Sequence, residues 1–268
     1  MEKLINSVKN VVSKKKQLPF SVYSCLKEQN IVNVPIIKPM LIFVLSGIKE
    51  LGENNQIICP AGHFIFLSNR PTIDMRNIPS NHEYFALLIE FEHNDFNIFN
   101  EKSMLSNKYI SGEIAPVLES TIQQFIEWSV FAPVSMWSHR RQEILQVMYH
   151  MGYEDVSSIL KHTSITNKLQ QIMNNDISAE FHSDFLCEQL AMSESTLRRK
   201  LKLEGTSIQK IKNQVRLGHA LHLVQSTIEP VGHIAEQCGY HSQSRFTEKF
   251  KQLFGLTPTQ LRKTKMHD

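Results

Sequence analysis

Cysteine is scarce in this chain of 268 residues, which has four, at Cys25, Cys59, Cys187 and Cys238. No two of them form the C-x-x-C pair on which many zinc and redox sites are built. Cys187 and Cys238 stand where the surrounding pattern favours small or apolar side chains. We therefore predict buried, reduced thiols, which are typical of a cytosolic protein.

Long apolar runs are also missing. Even the run Met40–Leu45 is far shorter than the roughly 20 residues that a transmembrane helix needs. Near the N-terminus, Lys14, Lys15 and Lys16 form a basic run without the apolar segment of a secretory signal. We expect a cytoplasmic protein with no membrane partner.

Common catalytic motifs are absent as well, including G-x-S-x-G, H-E-x-x-H, the P-loop and the dinucleotide fingerprint. Glu90 and Glu92 share a face because they lie two residues apart on a predicted strand. They stand at the end of that strand, so we expect solvent-exposed carboxylates there and not a catalytic pair. The sequence favours neither an enzyme nor a bound cofactor.

The charge that is present is unevenly placed. The whole chain has a formal net charge of +3. From Ser164 to Asp268, 14 Lys and Arg residues stand against 10 Asp and Glu residues. Within 195–216 there are seven basic residues and one acidic residue. They are Arg198, Arg199, Lys200, Lys202, Lys210, Lys212 and Arg216, with Glu204 as the acid. Such clustering matches a surface that faces phosphate groups.

The N-terminal half has the pattern of short strands. Pro35–Leu45, His63–Leu67 and Tyr84–Phe91 are rich in β-branched and large apolar residues, and Gly, Asn and Pro turns separate them. Regular short strands of this kind predict a sandwich or barrel.

The apolar spacing then becomes helical, over Ile114–Val130 and Val134–Met151. One face of these two helices would cover the barrel, and surplus apolar surface would suit a dimer interface. Tyr153–Asn167 is polar and reads as a linker. We therefore predict an α+β protein whose domains are 1–152, the linker 153–167, and an all-α domain over 168–265.

A repeat organises the C-terminal half. The segments 186–202 and 234–251 share apolar, small and basic residues at offsets of 48 and then 49 positions. Each copy reads as a short helix, a tight turn and a second helix with a polar and basic face. This is the outline of a helix-turn-helix, whose second helix can enter a DNA major groove. Ser193 and Ser242 precede the second helices and are expected to cap them.

The exposed positions of the two second helices are the candidate DNA contacts. In the first copy they are Ser195, Thr196, Arg198, Arg199 and Lys202. In the second copy they are Gln243, Ser244, Arg245, Glu248 and Lys249. Arginine pairs with guanine or phosphate, glutamine with adenine, and glutamate with cytosine. Ile208–Thr227 predicts a connecting helix of about 30 Å, near the ~34 Å repeat of B-DNA, so both second helices could occupy consecutive turns.

These residues resemble a known family. Four segments are similar to the DNA-binding domain of AraC/XylS-type transcriptional regulators. They are L-x-x-x-L-x-M-S-x-S-x-L-x-R-x-L-K at Leu186–Lys202, E-G-T-S at Glu204–Ser207, I-A-x-x-C-G-Y at Ile234–Tyr240 and S-Q-S-x-F-x-x-x-F-K-x-x-F-G-x-T-P at Ser242–Pro258. The match covers the last ~100 residues.

The resemblance implies more for the N-terminal half. Family members carry a cupin-like β-barrel with two trailing helices, which senses a small effector and dimerises, and many are activators that contact RNA polymerase. It implies a homodimer that binds promoter DNA. If an effector binds here, apolar barrel residues would line its pocket. The candidates are Ile42, Phe43, Phe64, Phe66 and Phe85.

Three alternatives stay open. A cupin-type enzyme fused to a DNA-binding domain would need clustered metal ligands, whereas His63, His82 and His93 are isolated, so no metal site is expected. An effector-free architectural DNA-binding protein would not need so large an N-terminal half. Regulation through a protein partner remains as plausible as a small effector, because no polar cluster marks a ligand.

Overall fold

The computed structural model describes residues 1–14, 17–68, 70–80, 83–99, 109–159 and 164–265. His82, one of the isolated histidines, lies outside the described residues.

Nine strands within these ranges build the N-terminal half. They are β1 (Ser21–Cys25), β2 (Gln29–Ile36), β3 (Met40–Ser46), β4 (Ile48–Leu51), β5 (Ile57–Pro60), β6 (His63–Leu67), β7 (Arg70–Ile78), β8 (Tyr84–Glu90) and β9 (Tyr109–Glu113). The first sheet has the order β1-β8-β3-β6-β9 and the second β2-β7-β4-β5, with antiparallel neighbours throughout. The predicted barrel is therefore two separate sheets that do not close.

The two faces of the first sheet belong to different cores. On β3, Ile42 and Val44 point into the core shared with the second sheet, whereas Leu41, Phe43 and Leu45 point to the opposite side. This alternation follows from the two-residue period of a strand. Both faces are apolar because helices cover the side that would otherwise meet solvent.

Three helices cover that outer face. They are α1 (Glu2–Val12), α2 (Pro116–Trp128) and α3 (Trp137–His150). The helical spacing of the sequence predicted α2 and α3 to within a few residues at each end. It did not predict α1, although Leu4, Val8 and Val11 lie at helical spacing and are buried against this core.

The predicted linker is partly packed. Glu154–Ser158 forms a 3₁₀ helix, and Val156 and Ile159 are buried in the core under α3. The next helix, α4, begins at Ile165. Of the predicted linker, only 160–163 lies outside the described residues.

Seven helices follow in the described part of the C-terminal half. They are α4 (Ile165–Asn174), α5 (Ser183–Gln189), α6 (Glu194–Leu203), α7 (Ile208–Ser226), α8 (Val231–Gln237), α9 (Gln243–Phe254) and α10 (Pro258–Lys263). The helices α4, α5 and α6 pack on the first half of α7 around their own apolar core. The helices α8, α9 and α10 pack on its second half, in the core that continues into the strands.

Helix α7 lies across the side of the sandwich where β1 and β2 form the sheet edges. A Cβ atom on Gly218 would approach Pro35 Cγ to 2.9 Å, so the glycine allows α7 to lie close to β2. The Tyr23 hydroxyl of β1 and His222 Nδ1 of α7 are 3.1 Å apart. None of the described helices combines the length and apolar character needed to cross a bilayer.

Candidate nucleic-acid interface and the adjoining cavity

The first helix-turn-helix consists of α5 and α6. The chain reverses at Ala191, whose φ of +50° is left-handed, and Ser193 Oγ then accepts from the Thr196 backbone N–H. This confirms Ser193 as the N-cap of α6. Leu197 and Leu201 are buried beneath the helix, which fixes the opposite face towards solvent.

The candidate contacts of α6 lie on that outer face. Ser195, Arg198, Arg199 and Lys202 are exposed, whereas Thr196 is half-buried with its hydroxyl 3.0 Å from Ser193 Oγ. Arg198 also donates to Glu194 Oε1, at 2.7 Å from Nη2. Glu194 thus offsets part of the charge of Arg198, whose remaining N–H groups are free to bind another anion.

The second helix-turn-helix repeats the plan with α8 and α9. Gly239 occupies the turn with φ +75°, and Ser242 Oγ accepts from the Arg245 backbone N–H, which confirms the second predicted N-cap. Phe246 and Phe250 are fully buried, with ring centroids 5.7 Å apart. The five candidate contacts, Gln243, Ser244, Arg245, Glu248 and Lys249, are all exposed.

Arg216 departs from the predicted basic surface, since it is only 7% exposed. Its guanidinium donates to the carbonyl oxygens of Ile177, Ser178 and Ala179 before α5, at 3.1, 2.9 and 3.1 Å. It also donates to the carbonyl of Gly239 at 3.2 Å. Arg216 therefore ties the two helix-turn-helix units together and is unavailable to phosphate. This role of Arg216 could not be predicted from the sequence, because its partners come together only in the tertiary fold.

Glu180 completes this internal link. Its carboxylate pairs with Lys212 and lies 3.2 Å from Arg216, and these hydrogen bonds lower the pKa of Glu180, with that to Lys212 contributing most. With Arg198, which pairs with Glu194, three of the seven clustered cations are thus engaged within the protein, and the phosphate-facing surface is smaller than predicted.

The spacing of the two units follows from α7. Its 19 residues span about 28 Å at 1.5 Å per residue. That length is close to the predicted one and remains near the pitch of B-DNA.

A cavity of about 650 Å³ lies between the sandwich and α7. Most of its wall is apolar and comes from β2, β7, β8, α7 and the start of α3. Apolar members include Ile31, Val34, Met75, Leu88, Trp137 and Leu221. Charged and polar members include Lys38, Lys49, Asn77, Glu90, Arg141, His219 and His222.

The ionisable groups next to α7 are shifted by their surroundings. Burial lowers the pKa of His222, and burial together with the neighbouring His222 lowers the pKa of His219. Both imidazoles are therefore neutral at pH 7. Desolvation raises the pKa of the Glu90 carboxyl at the end of β8 above its ordinary value.

The five predicted pocket residues do not line this cavity. Phe43, Phe64, Phe66 and Phe85 lie on the outer face of the first sheet beneath the helices, and Ile42 lies in the core between the sheets. They do not share one face, because Ile42 and Phe43 are neighbours on a strand. In this structure they are core residues, and the cavity is formed by other side chains.

Lys49, a residue of the cavity wall, was not predicted from the sequence. Leu51 is an inward-facing residue of β4, and the two-residue period places Lys49 on the same side. No burial was predicted for this lysine, although the strand period gives that signal.

Comparisons with known proteins agree with this geometry. A family model described as a helix-turn-helix domain matches residues 186–264, which cover most of α5 and continue through α10. The HTH-type transcriptional regulator GadX of Escherichia coli O6:H1 is 29% identical over 126 residues, which are 45% of this chain and 46% of GadX. The HTH-type transcriptional regulator YdeO of Shigella flexneri is 37% identical over 101 residues, which are 37% of this chain and 39% of YdeO. The chain thus spans about half the length of these relatives or less.

Solved structures of ToxT from Vibrio cholerae share the fold over almost the whole chain. One covers 94% of this chain and 100% of its own, with a TM-score of 0.67 and 17% identity. Another, described as bound to an unsaturated fatty acid, covers 94% and 97%, with a TM-score of 0.65 and 14% identity. At this identity the likeness shows the fold alone.

Proposed function

We propose that the chain is a helix-turn-helix transcriptional regulator of the AraC/XylS type and that it regulates promoters in response to a molecule bound beside α7. The match of residues 186–264 to a helix-turn-helix domain and the partial likeness to GadX and YdeO support this proposal. The observation that carries this proposal is the double role of α7. The same helix joins the two DNA-binding units and forms one wall of the cavity.

The two units are held differently, which supports such coupling. The carbonyl oxygen of Thr264, at the end of α10, accepts from the backbone N–H groups of Leu26 and Lys27 at 2.8 and 3.1 Å. Asn33 of β2 donates to the carbonyl oxygen of Leu253 in α9 at 3.2 Å. The second unit is therefore fixed to the sandwich by backbone hydrogen bonds, whereas the first packs mainly on its own core and meets the N-terminal half through Gln171, whose Nε2 lies 2.6 Å from His93 Nε2. A change in the cavity would move one unit relative to the other.

The occupant of the cavity is a small, largely apolar molecule in this proposal. The wall offers mainly aliphatic and aromatic side chains and a few polar groups, the usual composition of a ligand site. The fatty acid in the ToxT structure is consistent with a ligand of this kind in the shared fold.

We further propose that the protein is a cytoplasmic activator that forms a homodimer and contacts RNA polymerase. Exposed apolar side chains occur in the first turn of α2 and in the segment between α2 and α3. They are Val117, Phe131, Val134 and Met136, exposed by 52%, 76%, 56% and 40%. Exposed apolar side chains of this kind would suit contact with a second copy of the chain.

Footprinting tests the proposal. Purified full-length protein would be mixed with genomic fragments, and bound fragments would be mapped with and without a lipid extract of cells. We expect protection of two major-groove segments about one helical turn apart, and an altered footprint with extract. Absence of any discrete footprint would overturn DNA-binding regulation, whereas an extract-independent footprint would overturn only the role of the cavity.

A further inference from the structure

Helices α6 and α9 carry opposite charges at one equivalent position. After the turn, the repeat pairs each residue of α6 with the residue 49 positions later in α9. Arg199 thereby corresponds to Glu248, and both side chains are exposed. A cation and an anion therefore occupy the same place in two helices of the same design.

This position lies at the centre of the exposed face of each helix. Phe246 and Phe250 are fully buried and lie two residues before and two residues after Glu248. Two residues turn an α-helix by about 200°, so Glu248 lies on the side opposite both rings. In α6, two buried leucines flank Arg199 at the same spacing. When either helix enters a major groove with its exposed face, this central side chain meets the edges of the bases.

The positions on either side of the centre have the same charge in both helices. Lys200 corresponds to Lys249 on one side. Lys202 corresponds to Lys251 on the other side, and all four lysines are exposed. Cations at these flanks suit the phosphates that border the groove, which position a protein without carrying sequence information. The two helices thus share the groups suited to phosphate and differ in the group suited to bases.

Glu248 forms no ion pair within the part of the chain that the structure describes. Acidic residues near α6 differ in this respect, because Glu194 pairs with Arg198 at 2.7 Å and Glu180 pairs with Lys212. An unpaired carboxylate close to DNA is repelled by the phosphates. Only a hydrogen-bond donor on the DNA offsets this cost.

The major groove offers such donors on two of the four bases. Cytosine presents its N4 amino group at one end of the pattern of the G·C pair, beside a single acceptor. The adenine N6 amino group lies between two acceptors, adenine N7 and thymine O4, which repel a carboxylate. A glutamate at this place therefore favours cytosine, whereas an arginine at the equivalent place favours guanine or a phosphate.

We propose that Glu248 requires a cytosine in the second major-groove segment, and that the opposite charges of Arg199 and Glu248 give the DNA site a direction. In the reverse orientation the carboxylate would meet the acceptors that bind the guanidinium, and the guanidinium would meet the cytosine amino group. Both contacts are repulsive, so the protein binds an asymmetric site in one orientation. This inference rests on the proposed function, because it specifies the DNA that the regulator recognises.

Selection of DNA by the full-length protein tests the proposal. The probe is a pool of duplexes with a randomised region of three helical turns, about 30 base pairs. Bound duplexes are sequenced, and fluorescence anisotropy then compares the selected duplex with its three single-base-pair variants at each enriched cytosine. We expect one cytosine in the second segment that the wild type prefers by about 10- to 100-fold over the other bases.

Two substitutions of Glu248 separate base reading from charge, and both are at an exposed position. Glu248→Gln supplies a donor and an acceptor, which match adenine, so the preferred base should change from cytosine to adenine. Glu248→Arg copies the first helix, so the preferred base should change to guanine. Glu236→Gln is the matched control, because it removes the same charge from an exposed position of α8 in the same unit. It should tighten binding to all duplexes without a change of preferred base.

A preference for cytosine that persists in E248Q would overturn the role of Glu248. Equal tightening by E248Q and E236Q without a change of base would also overturn it, because the carboxylate would then act through long-range repulsion alone. Two selected segments of the same sequence would overturn the direction of the site. If the wild type enriches no sequence, the proposed function fails and this inference with it. If it enriches a motif that E248Q and E248R leave unchanged, only this inference fails.

Discussion

Arg216 and Gly239 are in direct contact: the guanidinium Nη1 donates to the glycine carbonyl at 3.2 Å, and a Cβ atom at position 239 would approach the guanidinium carbon to 2.8 Å. This contact joins the connecting helix α7 to the turn of the second helix-turn-helix. The same guanidinium binds the segment before the first unit. One buried side chain therefore adds to α7 a second connection between the two DNA-binding units.

Arg216→Lys should loosen this link. A lysine has a single ammonium in place of the planar fork, so it cannot bind both segments at once. We expect destabilisation by about 1–3 kcal/mol, because buried carbonyls lose their donors. Thermal unfolding would measure the change, and DNA with two half-sites should lose more affinity than DNA with one. A variant as stable as the wild type would contradict the role of Arg216 as a link.

We expect glycine and alanine substitutions in the turns of the two repeats to have opposite effects on stability. Ala191 and Gly239 both adopt positive φ, a conformation that costs an L-residue roughly 1–2 kcal/mol and glycine almost nothing. Ala191→Gly should stabilise the first unit by about 0.5–1 kcal/mol, after allowance for the more flexible unfolded chain. Gly239→Ala should destabilise the second unit more strongly, because the methyl group also meets Arg216. Melting temperatures of the two variants test this, and shifts of equal sign would contradict it.

The sequence predicted the DNA-binding half well because its signals are local. Capping serines, apolar spacing and turn residues placed α6 and α9 within one or two residues of their observed bounds. The position of Arg216 could not be predicted, because its partners lie 23 to 39 residues away along the chain. The cavity depends on the docking of α7 against β1 and β2, which no local pattern encodes. The burial of Lys49 was not predicted, although the two-residue period of β4 places it on the same side as the buried Leu51.

Arg199→Ala tests the exposed face of α6. If this side chain reads a base, DNA affinity should fall by about 1–3 kcal/mol, with relaxed sequence preference at one position. If it binds phosphate, affinity should fall for all sequences, and the slope of log affinity against log salt concentration should decrease by about one. Fluorescence anisotropy with footprinted DNA over a range of salt concentrations distinguishes the two results. Arg198→Ala is the neighbouring control and should cost less, because Arg198 is paired with Glu194. Unchanged affinity and salt dependence in R199A would exclude Arg199 from the interface, and a wild-type affinity insensitive to salt would contradict phosphate contact altogether.

The burial of Lys49 predicts that the stability of the protein depends on pH. The pKa of Lys49 is lowered from 10.5 to about 8 in the folded chain, so between these values the unfolded chain binds more protons than the folded one. Stability contributed by this group therefore rises with pH in that window, by about 1 kcal/mol from pH 7.5 to 9. The buried thiols act in the opposite direction above pH 9, because their pKa values are raised, so the comparison must be made with K49M, which retains them. Denaturant unfolding of ligand-free wild type and K49M should show their stability difference shift in favour of the wild type as pH rises. A difference that stays constant over this range would show that Lys49 titrates as an ordinary exposed lysine.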